Sequence, residues 1–424
     1  MKCDKVGAAG VDSGVLRVDE SSRTGGPSDG TVVPGHAAES SQNDMRRTGG
    51  GITILHTESS LGWGGQEIRI LTEAEGMQRL GHRVVVAAPA RGRLFAAARD
   101  RGLETVPVEM GGIVSGIRSL AAALRTYAPA VINTHSSRDS WVASLAVRLT
   151  ARNAVLVRTR HLSTPIARTF VTRFLYDVLP DAIVTTGEAI RTAMVRRHGF
   201  NPGQIVSIPT GIDTDVFSRK GGHTSIRAEL GLPDDAPLVG IVAVLRGWKG
   251  HEDFVEAARL VRQSVPDARF LIVGDGPYRS RVEAAIVGKG LTDHIIMTGH
   301  RDDVAAVLRS LDVFVLSSFG HEGVPQAVLQ ALAMEVPVVA SDVGGVAEAV
   351  RDGETGWLVP PRDPVAMASR ITVLLSQPDL RRVMGKKGRE LVEQDFRLDR
   401  MLDSTLALYD RLIQKRLPAH RGGR

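Results

Sequence analysis

From Ile52 onward the chain alternates short apolar runs with longer stretches whose apolar residues recur every three or four positions. "ITILHT" reads as a strand, "GGQEIRILTEAEGMQRLG" as a helix ending at Gly81, and "HRVVVAAP" as the next strand. "AVINTH", "AVLVRTRH" and "DAIVTTG" continue the series, with helical stretches between them. Apolar runs separated by amphipathic helices predict a parallel sheet covered on both faces. The polar, glycine-bearing "SRKGGHTS" at 218–225 interrupts this pattern. It restarts with "LVGIVAVL", a helix from about His251, and the runs "ARFLIVGDGP", "IIMTGH", "DVFVLSS" and "VPVVAS". Finally Leu398, Met401, Leu402, Leu406, Tyr409, Leu412 and Ile413 mark an amphipathic helix with one buried face.

The expected fold class is therefore α/β, with two doubly wound domains at 51–217 and 226–394 and a linker at 218–225. A terminal helix at 395–417 is placed to pack back on the first domain, and a basic tail follows at 418–424. Two such domains leave a cleft between the carboxyl ends of their strands, where ligands of this architecture bind. Residues 1–50 are rich in Gly, Ser, Asp and Arg without apolar periodicity and are expected to be disordered, with Met45 a candidate start. A length of 424 residues also argues for two cores rather than one.

Composition changes this picture little: 43% hydrophobic and 24% charged residues are ordinary for a globular protein. The only cysteine, Cys3, excludes an internal disulfide and any cysteine-built zinc or iron–sulfur site in the folded part. No apolar run reaches the roughly 18 residues needed to span a bilayer, and the first thirty residues lack the apolar core of a secretion signal. The expected location is cytoplasmic, with peripheral contact at the inner face of the membrane. Charge is +6, from 53 Lys+Arg against 47 Asp+Glu, but it is uneven. Arg152, Arg158, Arg160, Arg168, Arg173, Arg191, Arg196 and Arg197 face only Asp177, Asp181 and Glu188 in 151–200. This block fits an anionic substrate or membrane surface, or simply a solvated helix face. Nucleic acid is not expected, because aromatics are sparse there and no recognition module is present.

Several strand-to-loop junctions carry candidate chemistry. "GWGGQE", with Gly64 and Gly65, and "VGDGP", with Gly274, are glycine turns that let backbone N–H groups approach a phosphate, or that merely make the turn. Neither completes G-x-G-x-x-G, which counts against a nicotinamide enzyme. "VLRGWKG" puts Arg246 and Lys249 where two cations can neutralise a departing diphosphate, unless the loop is only a solvated basic turn. Asp213 and Asp215 form a D-x-D pair, more in keeping with an acidic turn at a domain boundary than with a metal. His135 and His161 end apolar runs, where each can bond a substrate or move a proton, or sit packed and satisfied.

Together "VLRGWKG", "VGDGP", "TGHRDDV", "DVFVLSS" and "EGVPQAVLQALAMEVPVVASDVGGVAEAV" resemble, in content and order, the retaining nucleotide-sugar-dependent glycosyltransferases of family 4. That resemblance covers Ile52 to the terminal helix and implies the GT-B fold of two facing Rossmann-like domains. It implies that Glu322, the first acid of the family's E-x7-E motif, holds the donor sugar's hydroxyls. Amides around Gly323 and Val324 would surround the sugar, although Pro325 has no N–H to give. Lys249 would contact the diphosphate, Gly64 and Gly65 would lie near the phosphates, and Gly299, His300 and Arg301 would border the base. His135 would orient sugar or acceptor.

Two departures stand out. Gln330 replaces the second acid, yet an amide both accepts and donates, so ribose binding survives in altered form. Val244 stands where many members have an arginine, and Arg246 can reach the same phosphates from two residues later. The resemblance further implies no metal or other cofactor, a nucleotide-sugar donor, and a glycan or lipid-linked acceptor of the surface-polysaccharide or lipopolysaccharide type. A non-catalytic nucleotide-binding scaffold and a sugar-nucleotide epimerase of the same fold remain open, as do the base, the sugar and the linkage.

Overall fold

The structure, a computed structural model, describes residues 50–150, 153–167, 169–220 and 226–416. The N-terminal tail before Gly50, most of the linker and the basic tail lie outside the described residues, as do Cys3, Met45, Arg152 and Arg168.

In the first domain the strands are β1 (Thr53–Thr57), β2 (Arg83–Ala88), β3 (Glu104–Pro107), β4 (Val131–Thr134), β5 (Val155–Arg160), β6 (Ala182–Thr185) and β7 (Ile205–Ser207). They form one parallel sheet in the order β3-β2-β1-β4-β5-β6-β7. In the second domain β8 (Leu238–Val242), β9 (Arg269–Val273), β10 (Ile295–Gly299), β11 (Val313–Leu316), β12 (Val338–Ser341) and β13 (Gly356–Val359) follow the order β10-β9-β8-β11-β12-β13, again all parallel. Central strands such as β4, β9, β11 and β12 are almost wholly buried, because helices cover both sheet faces.

Each order reverses once, between β1 and β4 in the first sheet and between β8 and β11 in the second. Loops leaving neighbouring strands on opposite sides of such a point part and open a crevice at the carboxyl edge. The glycine turn after β1 and His135 after β4 therefore share one crevice, and the Lys249 loop after β8 shares the other with the segment after β11.

Four helices matter for the site: α1 (Gly65–Arg79), α2 (Glu188–His198), α3 (Gln326–Ala333) and the terminal α4 (Leu398–Arg416). α4 follows the second domain in sequence but packs on the first. Leu398, Met401, Leu402, Leu408, Tyr409 and Leu412 join one core with Ile54, Ile70, Leu71, Val131 and Val157. The chain crosses twice between domains, and the two crossings pair side by side through Ile212 N to Phe396 O (2.8 Å) and Leu398 N to Ile212 O (3.0 Å). At this crossing Asp213 Oδ1 accepts from the N–H groups of Asp215 and Val216, which is how an acidic residue closes its own turn.

Candidate active site

The second-domain wall is built where β8 and β11 end. Gly250 has φ 65°, and a Cβ there would overlap the Ser317 carbonyl, so glycine alone lets the loop lie against the end of β11. Ser317 Oγ donates to the Lys249 carbonyl at 3.0 Å and fixes the loop further. The Lys249 ammonium thereby reaches Glu322, with Nζ 2.6 Å from Oε1. Ser318 Oγ donates to the same Oε1, also at 2.6 Å. Both bonds fall on one oxygen of a carboxylate that is only 5% exposed. The two residues assigned to diphosphate and sugar are thus already in contact.

Around this pair, Gly274 packs flush on the Ala243 carbonyl at φ 136°. Gln330 lies buried on α3, and Val324, two residues before that helix, is buried in the second-domain core. Gly299 ends β10, and the next residue, His300, meets the first-domain Trp63 edge-on at 6.4 Å. Arg301 is tied by ion pairs to Glu229 (2.6 Å) and Asp303 (2.7 Å). The Arg246 guanidinium lies over Trp248, 5.2 Å from the ring centroid, and its Nη2 is 3.8 Å from the Cβ position of Gly62 in the first-domain turn.

The first-domain wall begins with that turn. Gly64 caps α1 in an extended conformation, and Cβ positions on Gly64 and Gly65 would stand 3.7 Å from Val244 Cγ2 and 3.9 Å from Gln326 Oε1. The two glycine-bearing loops therefore face each other across the cleft. Gln326 Oε1 is buried without a protein partner. The turn hangs on Glu58, whose Oε1 accepts from Ser59 N and Ser60 N at 2.7 Å and whose Oε2 accepts from Gln66 Nε2. Burial, reinforced by the nearby Asp139 carboxylate, pushes the Glu58 carboxyl up to about 8. Asp139 in turn accepts from Thr57 Oγ1 and from the backbone N–H groups of His135 and Ser136, each at 2.8 Å.

His135 is buried and lies between two other imidazoles. Its Nε2 is 3.0 Å from His56 Nδ1, and its Nδ1 is 3.0 Å from His161 Nε2. Burial pulls all three below the usual histidine value. The two strand-end histidines thus belong to one chain, which the sequence reading treated as separate choices.

The two walls touch beside Glu322. A Cβ on Gly323 would come 2.7 Å from Thr186 Oγ1 and 2.8 Å from the His161 carbonyl, so the next residue after the acid abuts the first domain closely. Glu348 reaches across to cap α2, accepting from Glu188 N (2.7 Å) and Ala189 N (2.8 Å).

The arginine-rich block is not a single solvated face. Arg158 and Arg160 both donate to Tyr176 Oη, Arg191 to the Ile205 carbonyl and Glu188, and Arg173 pairs with Asp177. Arg158 and Arg160 stand two residues apart on β5, so both side chains leave the same face and meet Tyr176. Sequence reading missed His56, Glu58, Ser318, Gln326 and Glu348. His56 and Glu58 did carry a signal, as polar residues within and directly after an apolar strand.

Comparison with known proteins agrees with this geometry. Residues 63–216 match the family described as Glycosyltransferase Family 4, and residues 223–391 match Glycosyl transferases group 1. A 2-deoxystreptamine glucosyltransferase of Streptomyces kanamyceticus is 29% identical over 237 residues, 55% of this chain and 61% of that one. An alpha-D-kanosaminyltransferase of the same organism is 32% identical over 198 residues, 46% of this chain and half (50%) of that one. The putative glycosyltransferase EpsD of Bacillus subtilis is 28% identical over 64% of this chain and 74% of its own length. Among solved structures, Anabaena Alr3699/HepE in complex with UDP-glucose superimposes with a TM-score of 0.77 at 19% identity, covering 85% of this chain and 100% of that one. A Rickettsia africae glycosyltransferase gives 0.76 at 21% identity, covering 86% of this chain and 99% of that one. With both halves matched in order and two doubly wound domains facing across a cleft, the chain belongs to glycosyltransferase family 4 and has the GT-B fold.

Proposed function

We propose that the protein transfers a sugar from a nucleotide diphosphate sugar, with retention at the anomeric carbon, to a glycan or lipid-linked acceptor in cell-surface polysaccharide synthesis. The observation that carries this reading is the Lys249–Glu322 pair at the second switch point, facing the glycine turn of the first. One cation for a diphosphate and one buried carboxylate for hydroxyl groups stand side by side, which is what a charged leaving group and a polyol require.

In this mechanism the bond between the anomeric carbon and the diphosphate oxygen breaks, and its electron pair goes to that oxygen. Lys249 and Arg246 stabilise the charge that develops there, with Gly64, Gly65 and Gly274 leaving room for backbone approach. Glu322 holds the sugar hydroxyls, and the amides at Gly323 and Val324 border the ring. Gln330 takes the ribose, while Gly299, His300 and Arg301 line the base side. The acceptor hydroxyl attacks from the face the diphosphate leaves and passes its proton to the departing phosphate oxygen, so neither a protein base nor a metal is needed. His135 acts on the sugar or acceptor through the imidazole chain.

The relatives fit the donor class, since HepE is recorded with UDP and UDP-glucose. For the acceptor, one relative is named a putative colanic acid biosynthesis glycosyltransferase. Among the described residues no helix is long and apolar enough to cross a membrane. Phe170 and Val171, 85% and 58% exposed, stand near Arg173 and favour peripheral contact with an anionic lipid surface from the cytoplasmic side.

The test is thermal unfolding with UDP, GDP, ADP, their sugar conjugates and NAD, followed by turnover with candidate acceptors. A ligand at a hundred times its dissociation constant adds about 2.7 kcal/mol. A shift with one nucleotide diphosphate and none with NAD is expected. Binding without turnover, unaffected by Glu322→Ala, would point to a scaffold, and product formed without acceptor to an epimerase.

A further inference from the structure

Two cations stand on the loop after β8, and only one of them has an acid beside it. The Lys249 ammonium is shared with Glu322 at 2.6 Å. Among the described residues the Arg246 guanidinium has neither an ion-pair nor a hydrogen-bond partner, and what it has instead is a ring. Its Cζ lies 5.2 Å from the centroid of Trp248, two residues further on. Its Nη2 is 3.8 Å from the Cβ position of Gly62, while Val244 Cγ2 stands 3.7 Å from that of Gly64. The tip of Arg246 and the valine side chain therefore meet the same first-domain glycine turn.

Spacing along the chain does not by itself aim Arg246 there. Arg246 N donates to the Val244 carbonyl at 2.8 Å, a three-residue turn that breaks the extended run from β8. The alternation that would keep side chains two residues apart on one side is lost at that turn. The direction comes from Trp248. Its backbone lies in the single 3-10 turn Gly247–Lys249, and its carbonyl accepts from Phe319 N at 2.9 Å. Its indole meets the His321 ring edge-on, 5.5 Å between centroids and 86° between planes. His321 has φ 63°, a conformation uncommon for a residue with a side chain, and directly precedes Glu322. The ring beside Arg246 is thus braced by the segment that carries the acid.

We infer that Trp248 is a positioning residue that holds Arg246 at the glycine turn, so that this arginine supplies the second phosphate-binding cation where Val244 leaves none. The inference rests on the reading of this cleft as a nucleotide-sugar site. A carboxylate could hold an arginine in place, but it would neutralise the charge and occupy the N–H groups. A π face attracts the cation through its quadrupole and offers no lone pair to those N–H groups. The planar fork therefore keeps its donors for phosphate oxygens. A long side chain also gives up rotamer freedom when it binds a ligand, and one that is already ordered gives up less.

In the intact protein labelled with 15N-arginine, Nε–Hε correlation reads the side chain before any ligand is added, with Arg246 assigned as the signal missing from Arg246→Gln. An Arg246 signal displaced by the indole is expected, returning among the solvent-exposed arginines in Trp248→Leu. A wild-type signal already among them would overturn the positioning. Calorimetry then follows the nucleotide diphosphate selected by thermal unfolding, or pyrophosphate if none is selected. Trp248→Leu should bind it about two- to tenfold more weakly, the ordering cost of one long side chain. Trp248→Phe, which keeps a π face, should recover most of that affinity. In the Arg246→Gln background, Trp248→Leu should cost nothing further. An equal loss in both backgrounds would refute the role, because a ring that merely supports the loop acts with or without the arginine. A wild type that binds neither nucleotide diphosphate nor pyrophosphate would sink the functional reading instead, and the ligand-free spectra would still decide whether Trp248 orders Arg246.

Discussion

Lys249 and Glu322 make a prediction with opposite signs for two ligands. Their bond, 2.6 Å between Nζ and Oε1, joins a lysine side chain 21% exposed to a carboxylate side chain 6% exposed. A bare nucleotide diphosphate competes with Glu322 for that ammonium, so part of the binding free energy goes into giving up the pair. Glu322→Gln keeps the shape and can still accept from Ser318, but removes the charge that holds Lys249. A charge-assisted hydrogen bond contributes about 1.5 to 3 kcal/mol when well shielded. Partial exposure of Lys249 discounts this to roughly 1 kcal/mol, or about fivefold. The nucleotide diphosphate chosen by the thermal panel should therefore bind about fivefold tighter to Glu322→Gln. Lys249→Met loses the phosphate contact itself and should bind it roughly 10- to 150-fold more weakly. For the sugar conjugate the order changes: Glu322→Gln loses its hold on the sugar hydroxyls, and turnover should fall at least about tenfold. Calorimetry with the nucleotide diphosphate and initial rates with the conjugate separate the cases, with the unfolding midpoint as a check that both variants fold. If Glu322→Gln weakened nucleotide diphosphate binding as much as Lys249→Met, Glu322 would be holding the lysine in place for the phosphate rather than competing with it.

Two further predictions follow from the walls of the cleft. Glu58, raised from 4.5 to about 8 by burial and by Asp139, binds a proton more readily folded than unfolded, so its contribution to stability is complete below about pH 4.5 and lost as the pH climbs through 8. Glu58→Gln should therefore gain on the wild type between pH 5.5 and 9, by an amount on the order of a few kcal/mol; parallel unfolding midpoints across that range would show Glu58 ionised throughout. Glu348→Ala removes the cap on α2, worth about 0.5 to 2 kcal/mol, and should open the cleft. Small-angle scattering should show a larger radius of gyration with unchanged circular dichroism, and an identical scattering curve would mean that this contact does not set closure.

The alternation of strand and helix was legible because central strands are covered on both faces and so read as unbroken apolar runs. The strands it did not show are three of the four edge strands, β3, β7 and β13, "ETVP", "IVS" and "GWLV". Each has a neighbour on one side only and is partly exposed, so its composition is not forced toward apolar residues. Lys249 and Glu322 could be found although 73 residues separate them. Lys249 was visible as a cation just after an apolar strand and Glu322 through its place in the family's motif, and the strand order of the structure, reversing between β8 and β11, explains why the two meet. Within the arginine block a count of charges over 151–200 could not show that Arg158 and Arg160, two residues apart on β5, both turn to Tyr176.

What stayed hidden are the contacts that register and domain closure create. Glu348 meets α2 across 160 residues and between two domains, and nothing in "GGVAEAV" distinguishes it from an ordinary helix-surface acid. His56 is more instructive, because the anomaly was visible while its meaning was not. A histidine inside "ITILHT" must be buried, and a buried imidazole must find partners. Its first partner lies 79 residues away, and that partner's second lies 26 further on. A one-residue slip of β4 against β1 would turn His135 to the opposite face. It would leave His56 with a polar ring in an apolar core, at a cost of a few kcal/mol. The chain of histidines is thus a consequence of register, and also one of the interactions that penalise the wrong register, which couples the order of the site to the folding of the sheet beneath it.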